Sequence, residues 1–195
     1  MPPSQPEPAH HVPPSPWVAH FLAGAPPGSR VLDLACGTGR HTRLAIERGL
    51  TATAIDRDTS RLGDLAGHPN VEVITADLED GSPFPLPGRQ FGAVIVTNYL
   101  WRPILPAICN AVAPDGVLIY ETFALGHERL GGRPSNPAFL LRPNELAEAA
   151  VAAGLTLIAF EQVREDHPWP RIVQRVAATG PAHPWTTTPP ARFTS

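Results

Sequence analysis

The sequence predicts an α/β fold, with a seven-stranded, mostly parallel sheet and helices on both faces. Short apolar runs alternate with amphipathic helical patterns, which is typical of parallel strands joined by crossover helices. One apolar run ends in a glycine-rich turn that opens a helix. Only about eight residues separate the last two apolar runs, too few for a crossover helix, so we expect the last strand to be antiparallel.

Each element has local support. Ser15 can cap a short helix that starts at Pro16 and ends at Gly24. Apolar runs predict strands at 30–35, 51–55, 71–75, 91–97, 117–122, 155–163 and 172–177. Amphipathic patterns predict helices at 40–49, 59–66, 104–112 and 143–153.

The composition fits one domain without strong basic character. The chain has 195 residues, 43% hydrophobic and 17% charged, so a buried core is expected. A formal net charge of −3 gives no basic excess to hold nucleic acid. All 15 basic residues are arginine, which excludes lysine-dependent chemistry such as a Schiff base. The two cysteines predict neither a disulfide framework nor a metal site, and a cytoplasmic location is expected.

Proline marks both ends of the chain. Of 195 residues 25 are proline, and we expect disordered tails at 1–14 and 180–195 around a domain at 15–179. The pair His10-His11 lacks a third ligand at useful spacing, so no metal site is predicted there. The first residues lack the features of a signal peptide, and no apolar run could span a bilayer, so no membrane contact is expected.

The glycine-rich turn lies in the segment LDLACGTGR, residues 32–40. Gly37 and Gly39 allow the backbone to approach a ligand closely and to adopt a positive φ. The helix that follows presents free N–H groups at its start. We therefore expect a ligand across this turn, at the carboxyl ends of the strands. The alternative is a tight strand–helix turn that binds nothing.

Two acids follow the next two strands. Asp56 lies 23 residues after Asp33, where an acid can accept hydrogen bonds from both hydroxyls of a ribose. Asp77 can accept from an exocyclic amine while Leu78 packs on the base. Each acid alone is as consistent with a surface or capping residue, and Asp58 is the better candidate for the cap. Together with the turn, they predict a ligand with a ribose and a base.

This pattern resembles the class I S-adenosylmethionine-dependent methyltransferases, over roughly residues 15–178. The motifs LDLACGTGR, TAID, TADL and VIVTNYLW carry the resemblance, with Ala35 where the family usually has a glycine. It implies a Rossmann-like domain and S-adenosylmethionine as cofactor. The cofactor residues that it implies are Asp33, Ala35, Gly37, Gly39, Asp56, Asp77, Leu78 and Asn98. The stretches 98–100 and 120–146 are similar to the tellurite-resistance branch of bacterial methyltransferases.

Within the implied set, each part of the cofactor has its own residues. The backbone at Ala35, Gly37 and Gly39 would border the methionine part. Asp56 would bind the ribose, and Asp77 with Leu78 would bind the adenine.

Methyl transfer from a sulfonium is an in-line displacement, so the protein supplies mainly proximity and orientation. A base is needed only if the acceptor must lose a proton. The acceptor is expected at the ends of the fourth and fifth strands, under the long connection 124–142. His127 in this connection is the candidate base, and Tyr99 is a candidate catalytic or pocket-wall residue. The alternative for His127 is a solvated loop histidine.

Other side chains near the expected site have a structural alternative as well. Arg129 and Arg133 could hold an anionic acceptor or be solvated, and Trp101 could line the site or the core. Cys36 is expected to be small filler, because no histidine is arranged to activate its thiol.

The sequence thus predicts an enzyme that methylates a small molecule or an oxyanion, without nucleic-acid or membrane partners and with its oligomeric state open. One alternative is a nicotinamide-dependent oxidoreductase, which would favour Gly-x-Gly-x-x-Gly over the Ala-x-Gly-x-Gly found here. A second alternative is a non-catalytic, cofactor-binding regulatory subunit. A third is a nucleic-acid methyltransferase, but Asn98-Tyr99-Leu100 is not the signature that holds a flipped base.

Overall fold

A seven-stranded sheet of order β3-β2-β1-β4-β5-β7-β6 forms the centre of the computed structural model, which describes residues 12–194. The strands are β1 Arg30–Leu34, β2 Thr51–Asp56, β3 Val71–Thr75, β4 Phe91–Thr97, β5 Val112–Phe123, β6 Thr156–Glu165 and β7 Arg171–Thr179. Strands β1 to β5 pair in parallel, and β7 is antiparallel to both β5 and β6. The predicted sheet, including its antiparallel last strand, is confirmed.

Within residues 12–194, four α-helices cover the two faces of the sheet. They are α1 Pro16–Phe21, α2 Arg40–Glu47, α3 Leu105–Asn110 and α4 Glu145–Ala152. Helices α1 and α2 pack on one face, and α3 and α4 pack on the other. The alternating pattern of each strand supplies both cores: Ile119 of β5 faces α1, whereas its neighbour Tyr120 faces α3 and α4.

Two of the predicted helices differ from the structure. The helix expected at 59–66 is a 3₁₀ helix, Thr59–Gly67, interrupted at Gly63 by a φ of 59°. The helix expected at 104–112 is shorter, because a 3₁₀ turn, Arg102–Ile104, precedes α3 and strand β5 already begins at Val112. Hydrophobic spacing cannot distinguish a 3₁₀ turn from an α-helix over so few residues.

The segment after β7 lies against the core, unlike the disordered tail expected at 180–195. The Phe193 ring lies 5.1 Å from the Trp17 ring, and a ring nitrogen of His183 lies 2.8 Å from the Gly24 carbonyl. The proline content of this segment predicts disorder, but its aromatic side chains supply apolar surface for packing. His10-His11 and most of the predicted N-terminal tail lie outside the described residues, and the domain boundaries stay a prediction.

Among residues 12–194, no helix has both the length and the apolar character needed to cross a membrane. The same part of the chain contains no group of three or more His, Cys, Asp or Glu side chains arranged to hold a metal ion.

Candidate functional site

The turn between β1 and α2 contains three residues in the left-handed region: Ala35 (φ 55°), Gly37 (φ 57°) and Gly39 (φ 75°). A Cβ added to Gly37 would meet nothing within 4 Å, so this residue faces open space. A Cβ added to Gly39 would lie 2.7 Å from Leu62 and 2.6 Å from Leu65. The two glycines therefore have different purposes: Gly37 leaves room above the turn, and Gly39 lets the 3₁₀ helix 59–67 pack against it.

The Asp33 carboxylate points into the face of the sheet that α2 covers. Its Oδ2 accepts hydrogen bonds from the Thr42 amide (2.8 Å) and from the Thr42 hydroxyl (2.6 Å). Burial raises the pKa of Asp33 to about 6, although both bonds from Thr42 oppose the shift. Asp33 thus caps the first turn of α2, whose own N-cap is Gly39. Its predicted contact with a cofactor stays a prediction.

Asp56 ends β2 and connects two loops. Its Oδ2 accepts from the Gly37 amide at 2.8 Å, and its Oδ1 accepts from the Asp58 amide at 3.0 Å. Each carboxylate oxygen keeps a further acceptor position, because only one donor occupies it. The side chain is therefore fixed in orientation and is still able to bind a ligand.

A cleft of about 280 Å³ opens beside Asp56, and we call it the strand-end cleft. Its lining residues are Ala35, Asp56, Arg57, Arg61, Ala76, Asp77, Leu78, Glu79 and Tyr99. Five of the predicted site residues therefore share one cavity. Asp77 is exposed, and its Oδ1 accepts from the Glu79 amide, which fixes the carboxylate at the rim. The half-buried Leu78 supplies an apolar surface next to it.

Tyr99 lies in the same cleft as the predicted cofactor residues. Its hydroxyl oxygen is buried and has no hydrogen-bond partner in the described part of the chain. Burial raises the pKa of Tyr99, and the nearby Glu79, Asp77 and Asp56 raise it further. An orphaned hydroxyl beside a cleft is where a ligand would supply the missing partner. This position favours a cofactor contact for Tyr99 over its predicted place in the acceptor wall.

Asn98 is exposed and adopts the left-handed conformation, with φ at 55°. Its backbone amide donates to the Glu121 carbonyl at 2.9 Å, which connects the end of β4 to β5. Asn98 does not line the strand-end cleft, and neither Gly37 nor Gly39 does so through its own atoms. Their predicted cofactor contacts stay predictions.

His127 lies within the 124–142 loop but is 1% exposed, so the expectation of a solvated loop histidine is wrong. Its Nε2 lies 3.2 Å from the Arg133 carbonyl, and its Nδ1 lies 3.5 Å from the Ile172 amide. The ring packs on Phe123 at 4.5 Å between centroids. Both nitrogens face the backbone, so the geometry favours a structural part in holding the loop. The general-base part of His127 stays a prediction without support from these contacts.

The remaining predicted side chains separate into buried and exposed groups. Cys36 is buried, and burial raises the pKa of its thiol, which favours its interpretation as filler. Trp101 is half-buried and packs against the core, whereas Arg129 and Arg133 are exposed.

Glu121, at the end of β5, is 1% exposed and belongs to a charged network on the α1 face of the sheet. It accepts from the Ser15 hydroxyl at 3.2 Å and lies 3.5 Å from Arg175 and 3.7 Å from Arg171. The negative charge of Glu121 is compensated by the two arginines. Its bond with Ser15 holds the segment before α1 in place.

Sequence reasoning missed Arg40, which directly follows the glycine-rich turn. Its Nη1 donates to the Pro13 carbonyl at 3.2 Å, and within residues 12–194 it forms no ion pair shorter than 4.0 Å. Burial lowers its pKa, and the nearby Glu121 and Asp33 oppose the shift. The signal was present in the sequence, since a cation that follows such a turn lies beside any ligand bound there.

Three comparisons with known proteins agree with this architecture. A family model described as "Methyltransferase domain" matches residues 31–116. The malonyl-[acyl-carrier protein] O-methyltransferase of Serratia marcescens is 30% identical over 118 residues, which are 54% of this chain and 42% of that protein. The chain thus spans less than half the length of this curated relative. The ubiquinone biosynthesis O-methyltransferase of Burkholderia thailandensis is 27% identical over 159 residues, 70% of this chain and 68% of that protein.

Among solved structures, a TehB-like SAM-dependent methyltransferase from Corynebacterium glutamicum superposes with a TM-score of 0.60. It is 20% identical and covers 84% of this chain and 87% of its own, so the likeness concerns the fold. The matched residues 31–116 contain β1, α2, the turn between them and Asp56 with Asp77, the parts that build the strand-end cleft. Residues 31–116 are thus similar to the methyltransferase domain family, and the strand order of the sheet agrees with the likeness in fold to this solved structure.

Proposed function

We propose that the chain transfers the methyl group of S-adenosylmethionine to a small-molecule acceptor. The observation that carries this proposal is the strand-end cleft, which gathers Ala35, Asp56, Asp77, Leu78 and Tyr99 at the ends of neighbouring strands. A ribose needs oxygen acceptors, and an adenine needs one acceptor and an apolar surface. The cleft offers both within one cavity.

Each group in the cleft fits one part of the cofactor. The Asp56 carboxylate, oriented by the Gly37 and Asp58 amides, would accept from the ribose hydroxyls. Asp77 would accept from the adenine amine, and Leu78 would pack on the base. The unpartnered Tyr99 hydroxyl would gain a hydrogen bond from the bound nucleoside.

The methionine part would lie across the glycine-rich turn. Gly37 leaves open space there, and Arg40 places a cation at the start of α2 that has no ion-pair partner among residues 12–194. A carboxylate would be favoured by this guanidinium and by the helix N-terminus. The bound cofactor supplies a methyl group on an activated leaving group, and the residues of this chain supply its orientation.

The acceptor would approach from the ends of β4 and β5, beneath the 124–142 loop. By their names, the two curated relatives described above are O-methyltransferases of malonyl-[acyl-carrier protein] and of ubiquinone biosynthesis. We infer a small acceptor, or an oxyanion, in agreement with the net charge of −3, which gives no basic excess to hold nucleic acid. In the cleft, carboxylates serve the cofactor, so the acceptor would have to release its proton easily or carry none.

The test is a methyl-transfer assay with labelled S-adenosylmethionine. The panel contains small thiols, phenols, amines, carboxylic acids and oxyanions such as tellurite. We expect label in at least one product, and loss of that product in Asp56→Ala. Binding of S-adenosylhomocysteine without transfer to any member would favour the non-catalytic subunit instead, and the lack of any binding would overturn the proposal.

A further inference from the structure

Arg102 makes a dense set of contacts outside the strand-end cleft. Its Nε and Nη2 donate to the two carboxylate oxygens of Glu145 at 2.7 and 2.9 Å. Its Nη1 also donates to the Ala138 carbonyl at 2.5 Å, and its Nη2 donates to the Leu140 carbonyl at 2.8 Å. One guanidinium therefore binds a carboxylate in a two-bond fork and also binds two carbonyls of the 124–142 loop that lie two residues apart.

Glu145 completes this cluster from the first turn of α4. Its side chain is 6% exposed, and its Oε2 also accepts from the Arg142 amide at 2.8 Å. Burial raises the pKa of Glu145, but the hydrogen bonds from Arg102 and Arg142 outweigh burial and hold the pKa below its ordinary value. The carboxylate thus stays charged and keeps its bonds to both arginines.

The cluster joins the two segments that border the expected acceptor position. Arg102 directly follows the turn after β4, which is itself fixed to β5: the Asn98 amide donates to the Glu121 carbonyl, and the Tyr120 hydroxyl donates to the Tyr99 carbonyl. The 124–142 loop leaves the end of β5 and returns to α4. Leu141 closes the base of this loop by pairing its backbone with Phe123 and Leu125.

We propose that Arg102 is a positioning residue for methyl transfer, which sets the 124–142 loop at a fixed place over the acceptor side of the site. It acts through Glu145 and through the loop carbonyls. The catalytic consequence of this inference rests on the proposed function, whereas the fixed position of the 124–142 loop does not. Besides the ion pair with Glu145, the two bonds to the Ala138 and Leu140 carbonyls connect the guanidinium directly to the loop backbone.

The experiment uses trypsin as a reporter of loop position. Within the loop, Arg129 precedes Leu130, whereas Arg133 and Arg142 precede proline and resist cleavage. In Arg102→Gln the carbonyls of Ala138 and Leu140 lose their donor, so we expect cleavage after Arg129 to become at least fivefold faster.

Cleavage after Arg61, on the exposed 3₁₀ helix 59–67, serves as the internal control for global unfolding. The matched variant is Arg89→Gln, because Arg89 forms a similar two-bond fork with Glu72, far from the loop. Arg89→Gln should leave the ratio of the two cleavage rates unchanged. If Arg102→Gln folds poorly, Glu145→Gln and Arg102→Lys test the same fork, and Arg102→Lys should give an intermediate ratio.

The second measurement separates cofactor binding from turnover. We expect Arg102→Gln to bind S-adenosylhomocysteine within threefold of wild type, because Arg102 does not line the strand-end cleft. Turnover of whichever acceptor the panel identifies should fall at least tenfold at saturating cofactor. An unchanged cleavage ratio overturns the positioning role even if the enzyme is active. If the ratio of cleavage after Arg129 to cleavage after Arg61 rises but the enzyme methylates no acceptor, the positioning of the loop by Arg102 is supported. Only the proposed function is then contradicted.

Discussion

At the scale of single residues, one motif contains two glycines that the structure needs for different reasons. Gly37 has a positive φ and open space around its Cα, which suits the approach of a ligand. Gly39 has a positive φ and two leucine side chains within 2.7 Å of where a Cβ would be. The motif alone predicts ligand contact for both, because spacing does not show what lies behind the turn.

The pair gives a prediction that separates binding from folding. Gly37→Val should abolish S-adenosylhomocysteine binding. Because valine is strained in the left-handed conformation of this residue, the substitution should also reduce the free energy of unfolding, but only by about 1–2 kcal/mol. Gly39→Val should lower it by about 2–4 kcal/mol, because its side chain must displace Leu62 and Leu65. Calorimetric titration measures the binding of S-adenosylhomocysteine, and urea unfolding measures the free energy of unfolding. Normal binding by Gly37→Val would contradict the placement of the ligand across this turn.

His127 shows why a sequence-based catalytic candidate can mislead. Its near-neutral ordinary pKa made it the candidate base, but its ring is buried against Phe123, and both nitrogens face backbone groups. A histidine that holds a loop and one that takes a proton look the same in a sequence. Only the contacts distinguish them.

We expect His127→Ala to lower the unfolding free energy by about 2–4 kcal/mol, through the lost packing and hydrogen bonds. The control is Arg129→Ala, whose side chain is 85% exposed and which should change stability by less than about 0.5 kcal/mol. Urea unfolding measures both. Wild-type stability in His127→Ala together with a large loss of turnover would restore the catalytic interpretation.

At the scale of elements, α2 is held at its start from two sides. Asp33 of β1 caps the Thr42 amide, and His41 accepts from the Ser15 amide through Nε2 at 3.1 Å. Burial lowers the pKa of His41 to about 3, and the neighbouring Arg40 lowers it further. The imidazole is therefore neutral in the folded chain, which is the form that can accept this bond.

This arrangement predicts a pH dependence of stability. The folded pKa of His41 lies below its ordinary value of 6.5, so the stability is complete above pH 6.5 and is lost as the pH falls towards 3. Asp33, with its raised pKa, acts in the opposite direction between about 6 and 3.8. The difference between wild type and His41→Gln isolates the histidine, and should change by about 1.4 kcal/mol per pH unit in this window. A difference independent of pH would contradict a neutral, buried His41.

Most elements could be predicted, because strand identity follows from short apolar runs. Strands β3 and β4 begin and end as predicted, whereas β5 begins five residues before the predicted 117. Pro114 and Asp115 interrupt the apolar run within β5, so the hydrophobic pattern does not predict the first residues of this strand. The 3₁₀ helix 59–67 was predicted as an α-helix, because its turns repeat leucine with nearly helical spacing.

At the scale of the whole molecule, the sheet order and its antiparallel strand follow from the lengths of the connections. The presence of Asp56 and Asp77 in one cleft follows as well, because they lie at the carboxyl ends of neighbouring parallel strands. The arrangement on the expected acceptor side could not be predicted in this way. The pairing of Arg102 with Glu145, 43 residues later in the chain, depends on how a long loop returns to the sheet, which no local pattern encodes.

The C-terminal segment provides the molecule-scale prediction. The Arg175 guanidinium lies over the rings of both Trp17 (4.8 Å) and Phe193 (5.0 Å), which also contact each other, so the segment completes the core around α1. Phe193→Ala should lower the unfolding free energy by about 1–2 kcal/mol. The exposed Arg192→Ala is the matched control and should change little. Identical denaturation midpoints for wild type and Phe193→Ala would return this segment to the disordered tail that its prolines predict.

The most direct test of the central claim, that the strand-end cleft binds the cofactor, is a calorimetric titration with S-adenosylhomocysteine. Wild type should bind, and Asp56→Ala should bind about 1.5–3 kcal/mol more weakly, because charge-assisted hydrogen bonds to the ribose are lost. Asp58→Ala removes a nearby acid that caps the 3₁₀ helix 59–67 and does not line the cleft, so its affinity should match wild type. Equal affinities of Asp56→Ala and wild type would contradict the account.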